Sequence, residues 1–533
     1  MTRLIDGAAA FLAARTDAMA LLDAGDAAGA VALAEDCSPQ PGQEFSVTQL
    51  RAAMYTDGGQ AMGRPDLVER GAELWRQLAP DSHPEIAYNL ANAELGLYQL
   101  AVKQGELCTA WQDKRHELHA ARATFERVGS DSSAGRGLRL KALTNAGNTY
   151  DIVGRYLDAL TCYDTALSID PNFGIALGNR GVALEHAARL MHGHSPTVLH
   201  QAAASLDAAI AARESVIQFG GRAALEDFER VRARISSSTA SSMSPPPNRS
   251  WSDPHLEWCR RHKLFLHVSH ECLREDTKRL DPLFFRSLLT GLSEAGHERV
   301  NRLVDAFDAL KQDYVAARYV AWLASDPDSP IRDHSTAVSQ RITFLDSLTY
   351  ARWGVRTGMA VQALAAATNV LDKVASFVHL YLDTSRRVRG VYFDWLWRER
   401  DGKPMDAELA AVLSRPERNI GLLALCDLSC DLGSGKPLAR RILLRHTATH
   451  RFLVAHTEMV PAPASDDWFD RLRWPDLIHN TIAQLRDARA SVIYLARLID
   501  VREYQRHKVG KASGKVMPSL PITAVDTTLA EYE

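Results

Sequence analysis

An internal repeat constrains this chain more than any other feature. Ala142, Leu143, Asn145 and Gly147 return as Ala176, Leu177, Asn179 and Gly181, each displaced by 34 positions. A unit of that length holds two antiparallel helices, buries too little apolar surface alone and must stack on neighbours of its own kind. Leu143, Gly147, Tyr150, Ala159, Tyr163, Ala166 and Pro171 complete the pattern. Small residues let the two helices approach, aromatic rings fill the space between them, and Pro171 stops the second helix. Neighbouring units are looser. Asn89, Ala91 and Asn92 suggest an earlier first helix, with Ala121, Phe125 and Val128 as a second helix after an insertion. Ala202, Leu206 and Ala209 complete the unit begun at Gly174, after another insertion near 191–198.

A 34-residue period is the tetratricopeptide length, and the N-terminal half resembles a short tetratricopeptide solenoid; a generic helical bundle is the competing reading. The clearest boundary is Ser236–Ser250, where serines and the triple proline Pro245–Pro247 read as a linker. Tryptophan shifts across it: of ten in the chain, only Trp75 and Trp111 precede it. Beyond it, apolar residues recur every three or four positions, as in Val304–Trp322, Thr357–Leu382 and Asn480–Val501. The expectation is an all-α protein, with repeats over 1–235, a linker at 236–250, a second helical domain over 251–510 and a loosely ordered tail at 511–533.

Charge excludes a binder that relies on bulk attraction. Lys and Arg number 62 against 65 Asp and Glu, a formal charge of −3, so any nucleic-acid contact must be local. Seven scattered cysteines form no C-x-x-C pair, which removes zinc-ribbon and dithiol readings and fits a reducing compartment. The apolar patch Ala8–Ala13 is too short and too interrupted for a signal peptide or a membrane span. The expected location is cytoplasmic, with no membrane contact.

Chemistry concentrates in Ser434–His456. Ser434 suits a helix cap and Pro437 a first turn. Counting about 100° per residue from Leu438 gives an apolar stripe of Leu438, Ile442, Thr449 and Leu453, ending at His456. Arg445 falls inside that stripe, and His446 and His450 share one side of the helix near its edge. A guanidinium on a packing face is costly unless something polar or anionic meets it. Arginine and imidazole together suit phosphoryl chemistry: imidazole exchanges protons near neutrality, and guanidinium offers a permanent planar fork to phosphate. A ribose 2′-hydroxyl supplies its own nucleophile, so RNA cleavage needs no cofactor or metal. Periodicity alone favours the ordinary reading, an ion-paired arginine and surface histidines without a role. A zinc site built on His446 and His450 lacks the glutamate of H-E-x-x-H, although Cys426, Cys430 and His456 lie within reach in sequence.

Arg445-His446-Thr447-Ala448-Thr449-His450 resembles the R-x4-H motif of HEPN (higher eukaryotes and prokaryotes nucleotide-binding) ribonucleases. Phe307–Tyr319, Leu371–Phe377, Lys263–His267 and Asn419–Leu425 are similar, in the right order, to segments of the HEPN branch joined to tetratricopeptide repeats. The resemblance implies a helical bundle that dimerises, pairs two motifs in a composite cleft and cuts RNA without metal, leaving a 2′,3′-cyclic phosphate and a 5′-hydroxyl. It implies that Arg445 holds the scissile phosphate and His450 is the principal acid/base, with His446 at a position often occupied by asparagine. It also implies that the partners of Arg445 come from the other subunit and the RNA, and that the protein is a toxin or antiviral effector. Arg440, Arg441, Arg386 and Arg387 are weaker candidates for phosphate contacts. The repeats would dock an unidentified protein or peptide, or act as a sensor; a non-catalytic scaffold is the alternative. Tyr392–Trp397 reads as core or dimer packing rather than a base-stacking platform.

Overall fold

Short side chains set how closely the N-terminal helices pack. In the computed structural model, Ala142, Ala146, Ala159 and Ala166 are fully buried. Gly147 lies so near its partner helix that an added Cβ would come within 2.3 Å of the Tyr163 ring. Tyr163 cannot swing aside freely, because its hydroxyl donates to Asn148 Oδ1 at 2.8 Å. Gly147→Ala should therefore destabilise the repeats by about 1–3 kcal/mol through overpacking, checked by a lower melting temperature in far-ultraviolet circular dichroism.

Residues 3–188, 195–235, 250–271, 273–277, 279–285, 287–289, 294–331, 341–345, 349–384, 391–397, 406–414, 419–431, 437–458, 464–512 and 519–521 are described. They divide into two compact units, one of Met1–Ile152, Tyr156–Ala183 and Ala202–Ser236, the other of Val153–Arg155, Leu184–Gln201 and Ser237–Glu533. Apart from Ser250, the linker expected at 236–250 lies outside the described residues.

The first unit opens with β1 (Arg3–Ile5), α1 (Ala8–Asp23), α2 (Ala27–Asp36) and β2 (Cys37–Pro39), the two strands pairing in parallel. There follow α3 (Glu44–Met62), α4 (Pro65–Gln77), α5 (Pro84–Gln104), α6 (Leu107–Ser130), α7 (Arg136–Asp151) and α8 (Tyr156–Ile169). The chain then runs through α9 (Gly174–Ala188), α10 (Ser195–Ala211) and α11 (Arg213–Arg234). Helix α3 packs on α4, α5 on α6 and α7 on α8, while α4 meets α5 and α6 meets α7. Each pair thus covers the apolar face its neighbour cannot bury alone, the arrangement expected of a stacked helix-pair array. Both copies of the repeated sequence start a pair: Asn145 is on α7 and Asn179 on α9.

The second unit contains α12 (Pro254–Arg261), β3 (Ser287–Leu289), α13 (Glu294–Ser325), α14 (Val355–Leu382), α15 (Phe393–Leu396) and α16 (Ala407–Leu413). It continues with α17 (Ile420–Cys430), α18 (Pro437–His450), β4 (Phe452–His456), β5 (Phe469–Arg473), α19 (Trp474–Ala512) and β6 (Ser519–Pro521). Helix α14 is central: it packs on α13, α18 and α19, and Leu364, Val370, Leu371 and Val374 are fully buried. Gly421 permits the contact of α17 with α19, since an added Cβ would lie 2.5 Å from the backbone nitrogen of Leu498. The protein is all-α apart from three two-stranded pairings among the described residues. No helix among them is long and apolar enough to cross a membrane.

Two sequence expectations are corrected. The helix over Ser434–His456 ends at His450, where the Arg451 N–H closes it onto the Thr447 carbonyl at 2.8 Å. Phe452–His456 instead pairs in parallel with Phe469–Arg473, so Leu453 and His456 leave the helical stripe. The expected tail is partly ordered, because α19 continues to Ala512 and Ser519–Pro521 pairs antiparallel with Ser287–Leu289.

Burial also makes the second unit acid-sensitive. His255 and His262 are each lowered to about 4, chiefly by burial, with Arg318 acting on the first and Arg486 on the second. Their unfolded value is 6.5, so between about 6.5 and 4 the unfolded chain holds protons that the folded chain does not. Stability from these groups is present above pH 6.5 and is lost as pH falls towards 4. Tryptophan fluorescence, dominated by the eight tryptophans after the linker, should report a lower urea midpoint at pH 5 than at pH 7.5. His255→Phe together with His262→Phe should reduce that dependence, leaving the share of His270, which burial also holds well below 6.5.

Candidate functional site

Helix α18 is fixed by Leu444, just ahead of the motif, and by Thr447, one of the motif's spacer residues. Leu444 is buried among Leu364, Ala455, Leu472 and Leu477, which sets which face of the helix turns inward. Thr447 is fully buried, and its hydroxyl donates to Asp470 Oδ2 on β5 at 2.5 Å. The intervening residues then face outward: Arg445 lies at the boundary and His446 is exposed.

From that boundary Arg445 reaches α14. Its Nη1 donates to Asp372 Oδ2 at 2.6 Å and to Asn369 Oδ1 at 3.2 Å. Asn369 and Asp372, three residues apart, share one face of a predominantly apolar helix. Asp372 also accepts the Phe393 N–H on Oδ1 at 3.0 Å, so one carboxylate ties the start of α15 to the motif arginine. Its neighbour Lys373 pairs with Asp313 on α13. Partners for Arg445 were expected from another subunit and the RNA; this chain itself already supplies an acid and an amide. The side chains of Arg445 and Asp372 remain 23% and 24% exposed, so the pair is open to displacement by another anion.

The remaining candidates separate. Arg441 is taken up inside the domain, where Nε donates to Gln484 Oε1 at 3.0 Å and Nη2 pairs with Asp487, both on α19. With its side chain 12% exposed, it serves the α18–α19 junction. The His450 backbone closes α18, but the side chains of His450 and Arg440 lie outside the described residues, as do Arg386 and Arg387 entirely. Of the weighed zinc ligands, the Cys430 thiol donates to the Cys426 carbonyl at 3.5 Å, and His456 Nδ1 sits 2.9 Å from the Thr349 carbonyl oxygen. Among the described residues, no group of three or more His, Cys, Asp and Glu side chains is placed to hold a metal ion. Phe393, Leu396 and Trp397 are buried and Tyr392 is exposed, which makes most of this aromatic cluster core.

Sequence reasoning missed Asn369, Asp372 and the Thr447–Asp470 bond. The available signal was a pair of polar residues, spaced i and i+3, on the long apolar helix containing Leu371–Phe377.

Among solved structures, the chain is similar to the complex of the TPR2AB domain of yeast Sti1 with pHSP90, at 12% identity over 43% of this chain and 100% of that one, with a TM-score of 0.15. It is similar also to the C-terminal part of a TPR repeat-containing protein from Cytophaga hutchinsonii, at 12% identity over 43% and 100%, with a TM-score of 0.17. At these scores neither likeness adds to what the helix pairs establish. No curated protein matches the chain. Residues 295–502, which contain α14, α18 and most of α13 and α19, match the family model described as LA2681-like HEPN. The chain thus carries, after its tetratricopeptide-like helix pairs, a HEPN domain of the LA2681-like family.

Proposed function

We propose that this protein is a metal-independent endoribonuclease of the R-x4-H type, controlled through its N-terminal repeats and acting as a toxin or antiviral effector. HEPN domains are generally of the ribonuclease type, which supports RNA as the proposed substrate class. One observation carries the reading: the motif arginine is held at the edge of α18 by Asp372 and Asn369, oriented yet partly exposed. A scissile phosphate competes for that guanidinium as charge develops on its oxygens. In the reaction proposed, the ribose 2′-oxygen attacks phosphorus and the bond from phosphorus to the 5′-oxygen breaks. His450 takes the proton of the 2′-hydroxyl, and a second imidazole, His446 or a partner copy's His450, gives one to the leaving 5′-oxygen. The products are a 2′,3′-cyclic phosphate and a 5′-hydroxyl.

Dimerisation through the HEPN domain is part of the proposal, since it would supply that second set of groups. It is supported by exposed apolar side chains around the motif: Leu443 on α18, Phe452 on β4, Trp468 just before β5, and Tyr350 and Trp353 beside β4. Light scattering of the purified protein should give twice the chain mass, and Trp468→Asp together with Phe452→Asp should shift it towards the monomer.

A scaffold whose HEPN bundle only dimerises draws on the same ion pair, which gives Arg445 a structural role. Induced expression in a bacterium separates the two. The wild type should arrest growth and fragment RNA while His450→Ala does neither; equal growth and intact RNA in both would favour the scaffold.

A further inference from the structure

Three helices and one indole enclose a cavity near the start of the first unit. Phe11, Arg15 and Met19 follow one another at four-residue spacing along α1, so they share one face of it. Gln49, Ala53 and Asp57 do the same along α3. Both faces, with Asn89 and Asn92 of α5, line a cavity of about 170 Å³. Its floor is apolar. Leu50 and Met54 are buried there, and the Trp75 indole is fixed from α4 by its N–H, which donates to Thr56 Oγ1 at 3.2 Å. Met19 adds a thioether to the wall and stays 39% exposed.

The polar groups of that wall are otherwise idle. The side chains of Arg15, Gln49, Asp57 and Asn89 make no hydrogen bond or ion pair with the chain among the described residues. An apolar hollow with a few convergent polar groups is the usual form of a small-molecule site. Arg15 and Asp57 carry opposite charges on helices that touch, yet they do not close on each other. Enclosure by the walls pushes the Asp57 carboxyl up to about 6, against a smaller opposing effect from Arg15, so its charge is incompletely compensated within the chain. A ligand with both an ammonium group and a carboxylate compensates the two at once, donating to Asp57 and accepting from the Arg15 fork. The apolar floor then takes the remainder of the ligand. A dry cavity of about 150 Å³ accepts benzene, which sets the size of that remainder. A residue inside a polypeptide offers neither charge on its backbone, so the pocket favours a free amino acid over a chain.

We infer that this cavity binds a free α-amino acid with an apolar side chain, its ammonium group held by Asp57, its carboxylate by Arg15 and its side chain against Met19, Met54 and Trp75. Gln49 and Asn89 supply further hydrogen bonds to the two polar ends. Such binding requires neither RNA cleavage nor the second unit.

Titration calorimetry of the full chain with L-leucine, L-methionine and L-phenylalanine tests it. At least one should bind. Blocking either end, as the N-acetyl derivative or the carboxamide, should weaken binding about tenfold or more, the effect of one charge-assisted hydrogen bond. Asp57→Asn and Arg15→Gln should each cost as much with unchanged circular dichroism spectra, because neither side chain bonds to the chain. The two variants should differ in what they tolerate. Asp57→Asn should bind the tightest probe and its des-amino acid about equally, and Arg15→Gln that probe and its decarboxylated amine. A variant that merely loosened the fold would lose all these ligands alike. No binding of any of the three at millimolar concentration, affinities unchanged in both variants, or equal binding of the blocked derivatives would overturn the proposal. So would a tripeptide of the same residue that binds more tightly than the free amino acid, since the site would then hold a chain. Because the heat of binding is measured without RNA, failure here leaves the ribonuclease reading standing, and the reverse holds equally.

Discussion

Arg445→Ala should slow RNA cleavage by about a hundredfold to a thousandfold, the effect of removing one donor aimed at developing charge. His450→Ala should cost about a hundredfold to ten-thousandfold, since it removes the proposed acid/base. Neither change should unfold the domain. The Arg445–Asp372 pair is partly exposed, and such pairs contribute about 1 kcal/mol or less. Leu444 and Thr447, which seat α18, are untouched. Arg445→Lys should fall between wild type and alanine, because it keeps the charge and loses the fork. Asp372→Asn keeps an acceptor for the Phe393 N–H and removes the ion pair. It should leave the melting temperature nearly unchanged while altering cleavage by about tenfold in either KM or kcat, through a less well placed guanidinium. Single-turnover cleavage of a labelled RNA, read beside thermal melts of the same variants, checks the series. Loss of activity that follows loss of melting temperature would instead assign Arg445 to the fold.

The largest stability effect should come from Arg318, on the opposite side of α13 from solvent. Its side chain is 4% exposed; it donates to both oxygens of Asp281, at 2.9 and 2.8 Å, and to the Leu264 carbonyl at 2.9 Å. Tyr314, one turn earlier, donates to the same carbonyl at 2.6 Å. Together they pin the segment around Leu264 to Leu266, whose side chains are fully buried. Arg318→Met removes one partner of a buried pair and strands the other, which typically costs about 3–5 kcal/mol. Arg318→Met with Asp281→Leu should recover much of that loss, because the stranded carboxylate goes with it. Urea unfolding followed by tryptophan fluorescence measures both, and a single mutant as stable as wild type would contradict the account.

The parts of this structure legible in the sequence were those written as periodicity. Ala142, Gly147, Tyr163 and Ala166 announce a close helix pair because their sizes must alternate across its interface, and the pair is there. The long helices α13, α14 and α19 follow from apolar residues every three or four positions. The all-α class and the HEPN resemblance stand on those signals and on residues 295–502. What stayed hidden is contact at long separation. Asp372 meets Arg445 across 73 residues, a distance at which only folding decides the partner. The sequence of strand β4 continues a helical stripe because five residues are too few to separate the two periods, and only its pairing with Phe469–Arg473 distinguishes them. Arg441 resembled a phosphate contact until Asp487 on α19 took its charge.

The central claim is that the motif of α18 cuts RNA by transfer to the 2′-oxygen. The most direct measurement is sequencing of RNA ends generated by the purified full chain in chelator, with His450→Ala in parallel. The account predicts new fragments with 2′,3′-cyclic phosphate and 5′-hydroxyl ends from the wild type and none from the variant. Equal fragmentation by both proteins, or fragments bearing 5′-phosphates, would contradict it.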